Sequence, residues 1–241
     1  MRTDVVDLRD FYATGLGQAA RRVVRQRLRE IWPDVRGLTV LGLGFATPFL
    51  GPFLPEAART IAAMPATQGV LHWPREGPGQ TVLTEELELP FPDLSVDRLL
   101  MIHYLESAEQ IRPVLREAWR VLSGQGRLMV VVPNRRGLWA RFERTPFGHG
   151  RPYSPGQLTR LLRDNMFMPI RGASALYLPP VAWRMAPAAA PAWERLGAWG
   201  LSAFAGVVMM EAAKQIYAAH PLSTQPARRL RALGVNSPRG A

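Results

Sequence analysis

The 241-residue sequence predicts an α/β fold, a mostly parallel seven-stranded sheet with helices on both faces. Three observations predict it. Unbroken apolar runs of strand length alternate with stretches of helical periodicity, the pattern of strands buried on both faces. The first run, residues 38–43, breaks at Gly44 and leads through Phe45, Ala46, Thr47 and Pro48 towards a helix start. That strand–glycine–helix unit opens nucleotide-binding sheets, and it also occurs for packing reasons alone. Finally, 47% of the residues are hydrophobic, enough for one well-buried domain.

In chain order, residues 10–31 have apolar positions spaced by three and four, with arginines on the other face, and predict one helix ended by Trp32-Pro33. Strand one and its turn follow. Three prolines in 48–56 keep any helix there short. Residues 59–64 predict strand two, 67–73 a short helix, 75–80 a loop and 81–84 strand three. Residues 96–103 predict strand four and 107–122 an amphipathic helix, which Ser123-Gly124-Gln125-Gly126 caps and turns. Residues 127–132 predict strand five, ended by Pro133-Asn134. A basic loop over 135–155 leads to a helix over 155–165, and two closing strands fall at 173–178 and 204–211 with a helix over 191–201 between them. Residues 1–218 read as one domain and 219–241 as a basic, flexible tail.

Composition excludes several chemistries. No cysteine is present, so disulfides, thiolate nucleophiles and Cys-ligated zinc are ruled out. The four histidines have no metal-type spacing, and no metal site is expected. The net charge is +11, carried almost wholly by arginine. A phosphate- or membrane-binding surface would produce such a charge, and so would the Arg/Ala/Pro/Gly bias of a GC-rich genome. The arginines are spread along the chain and aromatics do not interleave with them, which favours the compositional reading and argues against specific nucleic-acid binding. The apolar stretch 198–210 is too short to span a bilayer. The N-terminus has the scattered charges of a cytoplasmic protein rather than a signal peptide.

Two stretches carry a family resemblance: VLGLGFATP at 40–48, and ELELPFPDLSVDRLLMIHYLE at 86–106 running on to VLSGQGRLMVVVPN at 121–134. The order resembles the small class I S-adenosylmethionine-dependent methyltransferases, whose fold is Rossmann-like. The resemblance implies S-adenosylmethionine as cofactor, with S-adenosylhomocysteine as product. It places Gly42, Gly44, Ala46 and Thr47 at the cofactor turn, with Ala46 where a second glycine is usual and Gly42 where an acid is usual. Met64 stands where the family's ribose-binding acid is expected. Thioether sulfur accepts hydrogen bonds only weakly, so the loss is expected to cost about 2–3 kcal/mol of affinity. Glu85, Glu86 and Leu87 match the adenine-side positions, and Ile102 and His103 the end of strand four beside the cofactor. Asp97 lies at the opposite end of the sheet and reads as structural.

Among the remaining candidates, Tyr12 reads as a packing aromatic or a lid over the ligand. His103 is the best base candidate, and equally a cofactor-wall residue. His149 lies between Gly148 and Gly150 on the loop expected to cover the acceptor, and is the second catalytic candidate. Tyr104, Asn134, Phe147 and Tyr153 are the expected acceptor-side residues. Arg135, Arg136, Arg141, Arg144 and Arg151 could receive an anionic acceptor or form a solvated basic loop. The expected function is methyl transfer to a small-molecule acceptor. Its rival is a methyltransferase-like protein without catalysis that binds or regulates a protein partner, motivated by the missing acids at Gly42 and Met64.

Overall fold

A computed structural model describes residues 4–177, 179–180, 194 and 204–216. Seven strands form one sheet: β1 (Thr39–Gly44), β2 (Arg59–Pro65), β3 (Thr81–Thr84), β4 (Val96–Ile102), β5 (Leu122–Pro133), β6 (Phe167–Ala175) and β7 (Val207–Lys214). Their order is β3-β2-β1-β4-β5-β7-β6. β1 to β5 run parallel, and β7 inserts antiparallel between β5 and β6. The chain leaves β1 for β2 on one side and later returns to β4 on the other, so β1 and β4 flank a topological switch point, where open α/β sheets bind ligands at their carboxyl ends.

Both sheet faces are covered. One apolar cluster joins α1 (Val5–Ala13), α2 (Gly15–Ile31) and α3 (Thr47–Leu50) to residues such as Val40, Met64, Leu100 and Met129. The other joins α4 (Ile111–Val121) and α5 (Pro155–Asp164) to Leu41, Leu43, Leu99 and Val130. Alternate strand residues enter alternate clusters, as the two-residue period of a strand requires. Asp97 ties the amino edge together: its carboxylate accepts from the Thr39 amide at 3.0 Å and from the Ser123 hydroxyl at 3.1 Å.

Several expected boundaries are corrected. Residues 10–31 are not one helix. Thr14 separates α1 from α2, caps α2 by accepting from the Gly17 amide, and donates its hydroxyl to the Phe11 carbonyl. Gly17 lets the two helices close, because a Cβ there would lie 2.0 Å from the Phe11 carbonyl oxygen. Residues 67–73 form turns and irregular chain, and the helix expected over 107–122 starts only at Ile111. Ser123-Gly124-Gln125-Gly126 lies inside β5 as a bulge: Val96 pairs with Leu122 and Arg98 with Arg127, and the chain turns tightly between, where a Cβ on Gly126 would lie 2.9 Å from the Ser123 carbonyl oxygen. β6 begins at Phe167, earlier than expected, and β7 runs over Val207–Lys214. The helix expected over 191–201 and the tail over 219–241 lie outside the described residues, apart from Glu194.

Candidate active site

β1 ends in a left-handed turn at Gly44, with φ of +84°. A Cβ there would lie 2.6 Å from the Ile102 carbonyl oxygen and 2.7 Å from Tyr104 Cβ, so only glycine lets the ends of β1 and β4 meet. Gly42 has a different duty. A Cβ on it would lie 2.5 Å from Ala46 Cβ and 2.7 Å from a Leu50 methyl, so its bareness seats α3 against the strand. Ala46 and Thr47 are buried in that packing.

β4 stops at Ile102, and His103 leaves it with φ of +52°. A non-glycine residue held there costs on the order of 1 kcal/mol or more, and such strain gathers at functional positions. The His103 carbonyl accepts from the Gln68 side-chain amide at 2.8 Å. Its ring is 4% exposed and is gripped from two sides. Nε2 lies 2.6 Å from the Tyr12 hydroxyl, and Nδ1 lies 3.5 Å from Glu106 Oε1. A carboxylate facing Nδ1 favours the proton on that nitrogen, which leaves Nε2 as acceptor and the Tyr12 O–H as donor. Burial first, then the Glu106 charge, hold the Tyr12 pKa well above the usual phenol value. Tyr12, His103 and Glu106 thus form a buried hydroxyl–imidazole–carboxylate row, the geometry of a base oriented by a third group.

Aromatic rings wall this row. Tyr12 stacks on Phe45 at 6.0 Å and meets Phe49 edge-on at 5.5 Å. Phe147 lies 5.0 Å from the His103 ring and 5.4 Å from Trp139. The loop bearing Phe147 folds back onto residue 106. The Arg151 amide donates to the Glu106 carbonyl at 2.7 Å, and Gly150, with φ of +78°, allows the approach because a Cβ would lie 2.6 Å from the same oxygen.

The structure gathers Tyr12, Gly44, Ile102, His103 and Phe147 at the switch point. His149 stands beside them, half-buried, lining a void of about 10 Å³ with Gln68, His103 and Glu106. Tyr104 is buried and donates its hydroxyl to the Glu86 carbonyl at 3.2 Å, and the Glu86 carboxylate accepts from Thr67 at 2.6 Å. Glu85 and Leu87 are exposed. Met64 is fully buried in the core. Asn134 is buried and bonded to the Ala205 carbonyl, and it pairs with Tyr153 across a bridge that anchors the loop. Sequence reasoning missed Glu106. Its signal is the spacing His103 to Glu106, two polar residues three apart that both end up buried in an otherwise apolar stretch.

In this arrangement the described residues leave little open space beside His103 for an S-adenosylmethionine-sized ligand. Such a ligand needs a cleft of roughly 300 Å³ or more. Around His103 lie two voids of about 10 Å³ each, and the Tyr12 ring packs against Phe45, the residue after Gly44. The buried oxygens Gln68 Oε1, Thr84 Oγ1 and Glu106 Oε2 have no hydrogen-bond partner, so the carboxyl edge keeps polar atoms unsatisfied. A cleft of about 670 Å³ beside α2, β6 and β7 shares no lining residue with the switch point. Among the described residues there is no metal-type cluster of His, Asp and Glu, and no helix is long and apolar enough to cross a membrane.

Residues 43–130 match the family model described as a methyltransferase domain. A "Probable S-adenosylmethionine-dependent methyltransferase" from two strains of Mycobacterium tuberculosis is 32% identical over 153 residues, covering 62% of this chain and 54% of the relative. The chain therefore spans about half the length of these curated relatives. Among solved structures, a SAM-dependent methyltransferase from Thermotoga maritima superposes with a TM-score of 0.59 at 18% identity, covering 88% of this chain and 96% of that one. A chain from a complex between the Haloferax volcanii Trm112 methyltransferase activator and a methyltransferase superposes with a TM-score of 0.58 at 16% identity, covering 88% and 98%. At these identities the superpositions show the fold, and it is the seven-stranded class I fold that the sequence predicts. Residues 43–130 of this chain thus match a methyltransferase domain, carried on the fold of the class I S-adenosylmethionine-dependent methyltransferases.

Proposed function

We propose that the chain is a methyltransferase acting on a small-molecule acceptor, and that the described conformation is its closed form. One observation carries the reading: the matched domain ends its central strands at a switch point where a strained, buried histidine is backed by a carboxylate and faces a hydroxyl. That is the local chemistry an oxygen or nitrogen acceptor requires, a positioned base beside its proton. His103 accepts the proton at Nε2, Glu106 orients the ring, and Phe147 and Trp139 exclude water. When bound, the cofactor supplies the methyl group. Its entry requires α1, which carries Tyr12, to move away from the carboxyl edge.

A second reading, a non-catalytic protein that serves a partner, is favoured by Met64, buried where the family's ribose acid is expected. Calorimetric titration of S-adenosylmethionine and S-adenosylhomocysteine into the purified chain separates the two. Micromolar binding supports the enzyme, and no heat at millimolar ligand supports the partner-binding protein.

A further inference from the structure

We propose that the slot at His103 is a receptor for an aromatic hydroxyl, and that Tyr12 holds the place of this ligand in the closed chain. Under the methyltransferase reading, on which this step rests, the acceptor class is a phenol.

The slot has the shape and chemistry of a phenol site. Its occupant is a six-membered ring packed between Phe45, Phe49, Phe11 and the imidazole, with centroid separations of 6.0, 5.5, 5.0 and 5.7 Å. At its foot the hydroxyl meets Nε2 at 2.6 Å. A slot for a plain hydrocarbon ring would carry no acceptor there. The Glu106 carboxylate behind the imidazole disfavours an anionic ligand, in keeping with the raised pKa of the Tyr12 phenol, so the slot takes a neutral hydroxyl. Glu106 Oε2, buried and without a partner, remains open beside the row.

Tyr12 is also carried on a short, separate element. α1 has nine residues and is separated from α2 by the break at Thr14. The described hydrogen bonds from α1 to the sheet side of the fold are Val5 N to the Gln68 carbonyl and Tyr12 to His103. An incoming phenol replaces the second of these atom for atom. The slot lies at the carboxyl ends of β1 and β4, where this topology binds ligands.

The test uses the full chain and three probes of one shape: 4-methylphenol, toluene and 4-methylbenzoate. In Tyr12→Ala, calorimetry should show 4-methylphenol binding at least tenfold more tightly than the other two. In the wild-type chain, which does not depend on the variant folding, saturating 4-methylphenol should speed amide hydrogen exchange across Val5–Ala13 at least fivefold, and toluene should not. Equal affinities for all three probes in the variant, or unchanged exchange in the wild type, overturn the proposal and leave Tyr12 as core packing. S-adenosylhomocysteine is titrated into the same samples. Its failure to bind while phenol selectivity persists removes the methyltransferase reading and leaves the receptor, and its binding without phenol selectivity removes the receptor alone.

Discussion

Tyr12 and His103 are separated by 91 positions in the chain and by 2.6 Å between hydroxyl and ring nitrogen. The bond joins the first helix to the end of β4 and closes the carboxyl edge. Removing only the hydroxyl, in Tyr12→Phe, leaves Nε2 buried without a donor. A buried unsatisfied group costs about 1–3 kcal/mol. Urea denaturation should show a loss of that size with an unchanged slope.

The same hydroxyl predicts an alkaline limit. Burial, then Glu106, raises its pKa above the ordinary 10.0. Above that ordinary value the unfolded chain loses the proton while the folded chain keeps it. The folded state then binds more protons, so stability falls as pH rises above about 10 towards the folded value. Denaturation midpoints at pH 9 and 11 should differ less in Tyr12→Phe than in the wild type.

An acid limit comes from Glu117. Its carboxyl accepts from Arg120, the larger cause, and from the Leu89 amide at 3.0 Å, and its pKa is lowered from 4.5. A lowered folded value gives stability that is present above the ordinary carboxyl pKa and lost as pH falls through the folded one. Glu117→Gln should lower stability at pH 7 and flatten the decline below about pH 4.5, as read by thermal melts across pH.

Gly42→Ala tests whether that glycine serves packing. The added carbon would lie 2.5 Å from Ala46 Cβ, and overpacking of this kind costs about 1–3 kcal/mol. Chemical denaturation should show the loss. A neutral result would mean that α3 shifts freely over β1.

Much of the fold was legible in the sequence. β1 to β5 stand out because each holds an unbroken apolar run, and β3 matches its expected bounds of Thr81–Thr84. The break at Thr14 was hidden because the helical periodicity of α2 extends backwards into α1, although Thr14-Gly15 is a cap signal. The turn signalled by Ser123–Gly126 is real, but it is a bulge within β5, tied to β4 by the Ser123–Asp97 bond, so that the strand begins before it. At the site, His103 and Phe147 were legible from position. The partnership of Tyr12 with His103 was not, since nothing local links residues so far apart. The packing of Tyr12 among Phe11, Phe45 and Phe49 depends on tertiary contacts that no local pattern records.

The central claim is that Tyr12, seated at His103, holds the carboxyl edge closed and that its removal opens it. The most direct test is calorimetric titration of S-adenosylhomocysteine into the wild type and Tyr12→Ala at equal concentration, with circular dichroism to establish that both are folded. Loss of the plug predicts at least tenfold tighter binding in the variant, because the wild type must first break the Tyr12–His103 bond and move α1. Equal affinities, or no binding by either folded protein, would contradict the claim.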